Sequence, residues 1–524
     1  METQKKQKKR ERAFWIWLLV IWSLFAAIPL LYHHHFSVFF TGWAVAAVLL
    51  LIAFPFLGIC RRALGERLGG VKLQGKAGVF VDRHFFAVAF FGLLLFWLPA
   101  YLALFPGTFG YDAPGQVAQY LGKEPWSTYQ PVAHSFLMGA VIDLGRTLFG
   151  SYNGGVALYT ALQALACAAA GARSLVFLKR RQAPFLALLF GFLFLALNPF
   201  VQVLVFACTK DIFFGAALLV FVLDFADAAD GGRISPGLIT GGIFMCAMRN
   251  QGIYMILVGC VIFIIIRKKK GFRLAAFLLV IAVCAFGLNF IFIHALKMRS
   301  GDRREMLSVP MQQVAAVAHA DLVENAGTLT DAELRQIEVV IPREAILSYA
   351  ENTADPVKTA FNTAAFEADR LGNIKLYVKL GLRHPKMYFF AFADMVLPYW
   401  DMTRSMYRGL AIRYTWPEIT HEWDIHRASL LPACADYLID AVVNLFYDRV
   451  PFARIFEPGY SIFLMAAVFL YGVIFRRKTA FFTQMFIFLY FLTCLLGPVA
   501  LLRYMFPILL AVPVMAGTFF IKKE

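Results

Sequence analysis

Long apolar runs, broken by short basic or Pro/Gly-rich stretches, set the pattern of this chain. Runs of roughly 17 to 23 residues are long enough to cross a hydrocarbon core of ~30 Å at 1.5 Å per residue. The pattern predicts twelve membrane helices, near 14–31, 36–57, 85–105, 154–178, 184–206, 212–228, 236–248, 252–266, 274–294, 458–475, 480–500 and 504–521. The first run follows "METQKKQKKRER" and imitates a signal peptide. It lacks a small-residue cleavage site and a second run follows at once, so it reads as a membrane helix.

Two further apolar segments do not fit as spans. "PVAHSFLMGAVIDLGRTLFG" (131–150) carries His134, Asp143 and Arg146, and a charge at mid-membrane costs about 2.5–3.5 kcal/mol on insertion scales. It reads as an amphipathic helix lying on the outer face. "MYFFAFADMVLPYW" (387–400) is 14 residues long with Asp394 inside it, too short to span. Between 295 and 457 the apolar runs give way to mixed charge with a helical pattern. Thr330 followed by Glu333 is the signature of a capping box. The expected fold is thus an all-α polytopic membrane protein of about 12 transmembrane helices, with surface helices and a mostly helical exterior region. Its divisions would be 1–84 (two N-terminal helices and a cytoplasmic loop), 85–294 (a transmembrane core whose first exterior loop is 106–153), 295–457 (the exterior region) and 458–524 (the last helices).

Composition agrees. Of 524 residues 60% are hydrophobic and 16% charged, with mean hydropathy +0.66, whereas soluble domains average about 25% charged. The net charge of +17 could suggest nucleic acid, but residues 295–457 hold 18 Lys+Arg against 21 Asp+Glu. The basic excess lies in the N-terminal tail, "RRALGERLGGVKLQGK", "LKRR", "RKKKGFR", "FRRK" and the final "KK". Short basic loops mark the cytoplasmic side, which places both termini in the cytoplasm and implies a lipid bilayer, not nucleic acid, as the partner. Most of the eight cysteines fall in apolar runs, and Cys434 alone lies in 295–457, so that region has no internal disulfide.

With this orientation, four polar features meet at the outer membrane level. "LALFPGTFGYDAPGQ" puts Asp112, the first carboxylate after Asp82, in a Pro/Gly-rich turn. "ACTKDIFF" places Lys210 and Asp211 at an outer turn, "CAMRNQGIY" places Arg249 at another, and "GPVALLRYMFP" places Arg503 at the start of the last helix. Each alone is compatible with interfacial anchoring or a local ion pair. Together, in a greasy setting, they are candidates for function. Cations would hold a lipid-linked phosphate and stabilise charge that grows as it leaves, and an acid would accept the proton of an incoming hydroxyl. The alternatives are a transporter or lipid flippase, whose folds often carry internal repeats that are not evident here, and a scaffold whose exterior region binds a partner.

In order along the chain, "FPGTFGYDAPGQ", "YQPVAHSFLMG", "ALNPFVQVLVFACTKD", "MRNQGIY" and "RYMFP" resemble membrane glycosyltransferases of the GT-C superfamily. The resemblance is to a bacterial branch distantly similar to protein O-mannosyltransferases and aminoarabinose transferases. It covers roughly 85–320 and the last helix; "SVPMQQVA" resembles the branch's start to its exterior region, and the first two helices precede the shared core. It implies a GT-C-like bundle in the cell membrane with an extracytoplasmic site. Asp112 would be the catalytic base and 131–150 the surface helix that follows it. The donor would be a polyprenyl-phosphate-linked sugar and the acceptor an envelope polymer, glycolipid or protein. Arg249 and Arg503 would bind the lipid phosphate. Lys210 would join them, with Asp211 orienting it or contacting the acceptor. Gln116 and His134 are further candidates for substrate contact, although a helix-face His is more often structural. Many relatives pair two acids in the first loop. Here Glu124 lies twelve residues beyond Asp112, so metal dependence stays open, with Asp112 and Asp211 the carboxylate pair for a possible divalent cation.

Overall fold

The structure, a computed structural model, describes residues 2–32, 75–299, 301, 303–400, 413–444 and 456–521. The predicted helix 36–57 and its following basic loop as far as residue 74 lie outside the described residues. Among those described, the secondary structure is helical, and β-pairing is limited to isolated bridges. Among the described residues, six helical segments are long and apolar enough to cross a membrane: Phe85–Leu104, Val132–Phe149, Tyr152–Arg180, Lys210–Ala229, Gln251–Ala295 and Pro458–Phe475. Four shorter apolar helical segments accompany them: Phe185–Leu197, Pro236–Met248, Lys478–Cys494 and Leu502–Thr518. This is a multi-pass membrane protein. The predicted 14–31 lies within the helix Glu2–Tyr32; twelve full spans are not counted among the described residues, since 36–57 lies outside them and several other predicted spans are short or broken.

The reasons for the breaks are local. The predicted helix 184–206 divides into Phe185–Leu197 and Pro199–Leu204. Pro199 has no N–H for the preceding turn, and the Asn198 side chain accepts instead from the backbone N–H groups of Phe200 and Val201, capping a new start. The predicted 480–500 ends at Cys494, and the predicted 504–521 becomes a 3₁₀ turn, Leu502–Met505, leading into Phe506–Thr518. The segment Gln251–Ala295 is a hairpin, not one rod: Gln251–Arg267 and Phe272–Ala295 pack together across a 3₁₀ turn at Lys268–Gly271. Segment 131–150 forms the helix Val132–Phe149. It satisfies the length and hydropathy of a span at the low end, with mean hydropathy 1.2.

The chain forms two compact units. The first contains Met1–Arg299, Arg408–Tyr490 and Leu502–Glu524. Among the candidate spans its most enclosed is the Lys210–Ala229 helix, packed by Tyr152–Arg180, Pro236–Met248 and Phe506–Thr518. Phe91, Leu95, Val283 and Phe286 on peripheral helices are exposed apolar side chains, as lipid-facing positions must be. The Val132–Phe149 and Tyr152–Arg180 helices approach closely at glycine: a Cβ on Gly155 would lie 2.2 Å from the Ile142 carbonyl oxygen. At the C-terminal end of Lys210–Ala229, Asp224 pairs with Arg173, and Asp227 pairs with Arg180 and Arg181. These pairs tie that end to Tyr152–Arg180, and the functional candidates cluster at the other end, about 20–25 Å away along the helix.

The second unit contains Ser300–Tyr407 and Phe491–Leu501. Its core gathers Met311, Ala318, Ile337, Ile346, Leu380 and Tyr388. Thr330 and Glu333 form the expected capping box, and Glu333 also accepts from Lys379 and Arg383. The boundaries differ from the expected exterior region 295–457. Residues 413–444 pack with the first unit, where Leu430 N–H donates to Leu102 O (2.9 Å) and Ala428 N–H to Phe105 O (2.9 Å). Backbone pairing outweighs their soluble-looking composition.

Candidate functional site: a buried ion network

The turn that carries Asp112 is pinned from several sides. Thr160 donates to Pro106 O (2.8 Å), Thr108 N–H to Phe206 O (2.8 Å), and Cys208 N–H to Thr108 O (2.9 Å). Tyr414 OH donates to Gly107 O (2.6 Å) and Thr415 Oγ1 to Tyr111 O (3.2 Å). Gly107 has φ +118°, and a Cβ there would sit 2.5 Å from Thr160 and 2.7 Å from Phe206 O. Only glycine meets both demands. Asp112 directly precedes the helix Ala113–Tyr120, where an Asp would ordinarily cap exposed N–H groups. Its side chain makes no cap bond.

The carboxylate faces cations instead. Asp112 Oδ2 lies 3.1 Å from Arg503 Nη1 and 3.4 Å from Lys210 Nζ. Arg503 Nε lies 3.5 Å from Asp211 Oδ2, and Asp211 Oδ1 forms an ion pair with Arg249 Nη1. Thr209 caps the Lys210–Ala229 helix and donates to Asp211 Oδ2 (2.8 Å). Asp211 sits in the first turn, where the helix dipole favours a negative charge. Aromatic rings wall the guanidinium groups: Tyr111 lies 4.3 Å from Arg503, and Tyr504 lies 5.0 Å from Arg249 and 5.2 Å from Arg503. Thus Asp112, Lys210, Asp211, Arg249 and Arg503, read separately from the sequence, form one connected network in one unit.

Gln116 and His134 join it at one remove. Lys210 donates to Gln130 Oε1, which also accepts from Gln116 Nε2 (3.2 Å). Gln116 Oε1 is 2.7 Å from His134 Nδ1, and His134 Nε2 is 2.8 Å from Tyr159 OH. Because Lys210 can only donate, Gln130 must present its oxygen there, and the next two roles follow. Gln116 donates to Gln130, and His134 Nδ1–H donates to Gln116. His134 is wholly buried and links Gln116 to Tyr159 behind Lys210. Gln130 and Tyr159 were missed from the sequence. Gln130 lies inside "YQPVAHSFLMG", but a single Gln carries no charge signal.

The electrostatics follow from this geometry. Burial alone would raise the Asp112 carboxyl, but Arg503 and Lys210 beside it hold it far below the usual carboxylate range. Three cations face two carboxylates, so the network carries one surplus positive charge and suits an anion. It does not suit a divalent cation between Asp112 and Asp211, because Arg503 touches both carboxylates. No group of three or more His, Cys, Asp or Glu side chains placed to hold a metal occurs among the described residues.

Fold and site together define a multi-pass helical membrane protein with a cationic, carboxylate-bearing network at one end of its bundle, in which Asp211, Arg249 and Arg503 are buried and Asp112 and Lys210 partly exposed. A family model described as a family of unknown function (DUF6020) matches residues 126–524, and the chain belongs to that family. The match includes Lys210, Asp211, Arg249 and Arg503 and begins after Asp112. No curated protein and no solved structure matches the chain.

Proposed function

We propose that the protein is a GT-C-type membrane glycosyltransferase. It would transfer a sugar from a polyprenyl-phosphate donor to an envelope polymer, glycolipid or protein at the outer face of the membrane. The reading includes the remaining helices of a twelve-span bundle and cytoplasmic termini. The observation that carries it is the junction of Asp112 with Lys210 and Arg503, an acid whose immediate neighbours are cations of the kind that bind phosphate.

The chemistry is a single displacement. The acceptor oxygen attacks the anomeric carbon, and the bond from that carbon to the phosphate oxygen breaks with its electron pair going to phosphate. The acceptor proton passes to Asp112, and the configuration inverts. Held at rest by two cations, Asp112 is a weak base. A donor phosphate that draws Lys210 and Arg503 toward itself releases the carboxylate, so the base becomes competent when the donor is bound. Charge balances at each stage. The surplus of +1 meets a phosphodiester of −1. After transfer, a protonated Asp112 leaves +2 opposite a phosphomonoester of −2. Arg249 and Asp211 hold Arg503 in place.

The test is the purified full chain in nanodiscs with a panel of radiolabelled polyprenyl-phosphate sugars and envelope extract. Release of polyprenyl phosphate, abolished in Asp112→Asn, is the expected result. An Asp112→Asn variant turning over at wild-type rate, or a wild-type chain that neither releases nor binds polyprenyl phosphate, overturns the proposal.

A further inference from the structure

The helix Arg370–Arg383 in the second unit is apolar on two opposite sides. At 100° per residue, Leu376 and Leu380 point into the unit's core, where they are 8% and 0% exposed. Leu371, Ile374, Val378 and Leu382 fall within an arc of about 80° on the far side. They are open, with Leu371 72%, Val378 51% and Leu382 80% exposed. A surface helix of a free-standing domain keeps that far side polar, so this stripe is built to be covered.

The flank of the stripe indicates what covers it. Lys375, Lys379 and Arg383 recur at intervals of four residues and form a cationic row beside the apolar one. The helix contains no Asp or Glu. Lys379 and Arg383 share the one carboxylate of Glu333, so the row keeps a positive excess, and Arg370 adds another exposed cation at the helix start. An apolar stripe beside a basic row is the pattern of helices that lie in the plane of an anionic membrane surface, apolar face roughly 5–10 Å into the headgroup boundary. Chain connectivity keeps the unit at a bilayer. Ser300 follows the apolar Phe272–Ala295 helix by five residues, and Phe491 lies within the apolar Lys478–Cys494 helix.

We infer that the Arg370–Arg383 helix is a membrane-surface anchor that seats its unit on anionic phospholipid. Leu371, Ile374, Val378 and Leu382 enter the acyl boundary while Lys375, Lys379 and Arg383 meet phosphate headgroups. The inference does not depend on the transferase reading, since it concerns what the helix touches and not what the site does.

The test places a photo-crosslinking benzophenone amino acid singly at positions 371, 378 and 382 of the full chain, with exposed position 335 as control. The chain is held in nanodiscs of phosphatidylglycerol with phosphatidylethanolamine, or of phosphatidylcholine alone. After illumination, mass spectrometry is expected to show phospholipid adducts at all three stripe positions, at least fivefold above position 335. Their yield is expected to fall several-fold in the neutral discs and with Lys375→Glu. Adducts to this polypeptide, to a second copy or to another protein would make the stripe a protein-docking face and overturn the inference. So would adducts at background level, or equal lipid yield at position 335.

Discussion

Asp112→Asn separates the proposed ion exchange from every simpler role for this carboxylate. The substitution keeps size and removes one charge. With Coulomb's law at an effective dielectric of 20, Asp112 attracts Arg503 at 3.1 Å and Lys210 at 3.4 Å by about 5 kcal/mol each before desolvation is counted. A phosphate entering the site must displace those contacts, and its own attraction to the same cations offsets most of the loss. Removing the competitor therefore shifts affinity by only a fraction of the gross figure, on the order of 1–2 kcal/mol, or roughly tenfold. The remaining contacts of Arg503 with Asp211 and of Lys210 with Gln130 keep the cations anchored. Asp112→Asn is thus expected to bind polyprenyl phosphate about tenfold more tightly than wild type, measured by native mass spectrometry or thermal shift in nanodiscs. Turnover should fall by about 10²–10⁴. Tighter binding with lost turnover is not what an anchoring ion pair would give. If affinity is unchanged or weaker while the protein stays folded, Asp112 does not compete with phosphate and the exchange mechanism is wrong.

Other residues give separate readings of the same structure. Arg503→Lys keeps the charge but cannot reach both Asp112 and Asp211, so polyprenyl phosphate should bind about tenfold more weakly, on the order of 1–2 kcal/mol, in the same binding assay. Gln130→Leu removes the oxygen that holds Lys210 and should weaken that binding several-fold while costing about 1 kcal/mol of stability by denaturant titration. Gly155→Ala forces a methyl against the Ile142 carbonyl oxygen; overpacking predicts a loss of about 1–3 kcal/mol in thermal stability. In the second unit, burial opposes ionisation of Glu333, but hydrogen bonds from Arg383, Thr330 and Lys379 hold its carboxyl at about 2 against an ordinary 4.5. Its stabilising effect is therefore complete above about pH 4.5 and disappears as pH falls toward 2. Glu333→Gln should flatten that acid limb, read by far-UV circular dichroism against pH.

Sequence by itself determined the class of the protein. Hydropathy and composition are local sums, and runs of apolar residues as long as a bilayer is thick need no partner to be recognised. The same holds for the Thr330–Glu333 cap, whose two halves sit three residues apart. Charges stranded beside apolar runs also declared Asp112, Lys210, Asp211, Arg249 and Arg503 as candidates, because each is costly to desolvate alone. Only the tertiary structure decided how they combine. It joined Arg503 to both Asp112 and Asp211, exposed Gln130 as the support of Lys210, and showed His134 as a buried link to Tyr159. It also split the helix at Asn198 and assigned residues 413–444 to the first unit. Hydrogen bonds and ion pairs between distant residues act through space over about 3 Å. No pattern along the chain records which of several exposed-looking ends will meet.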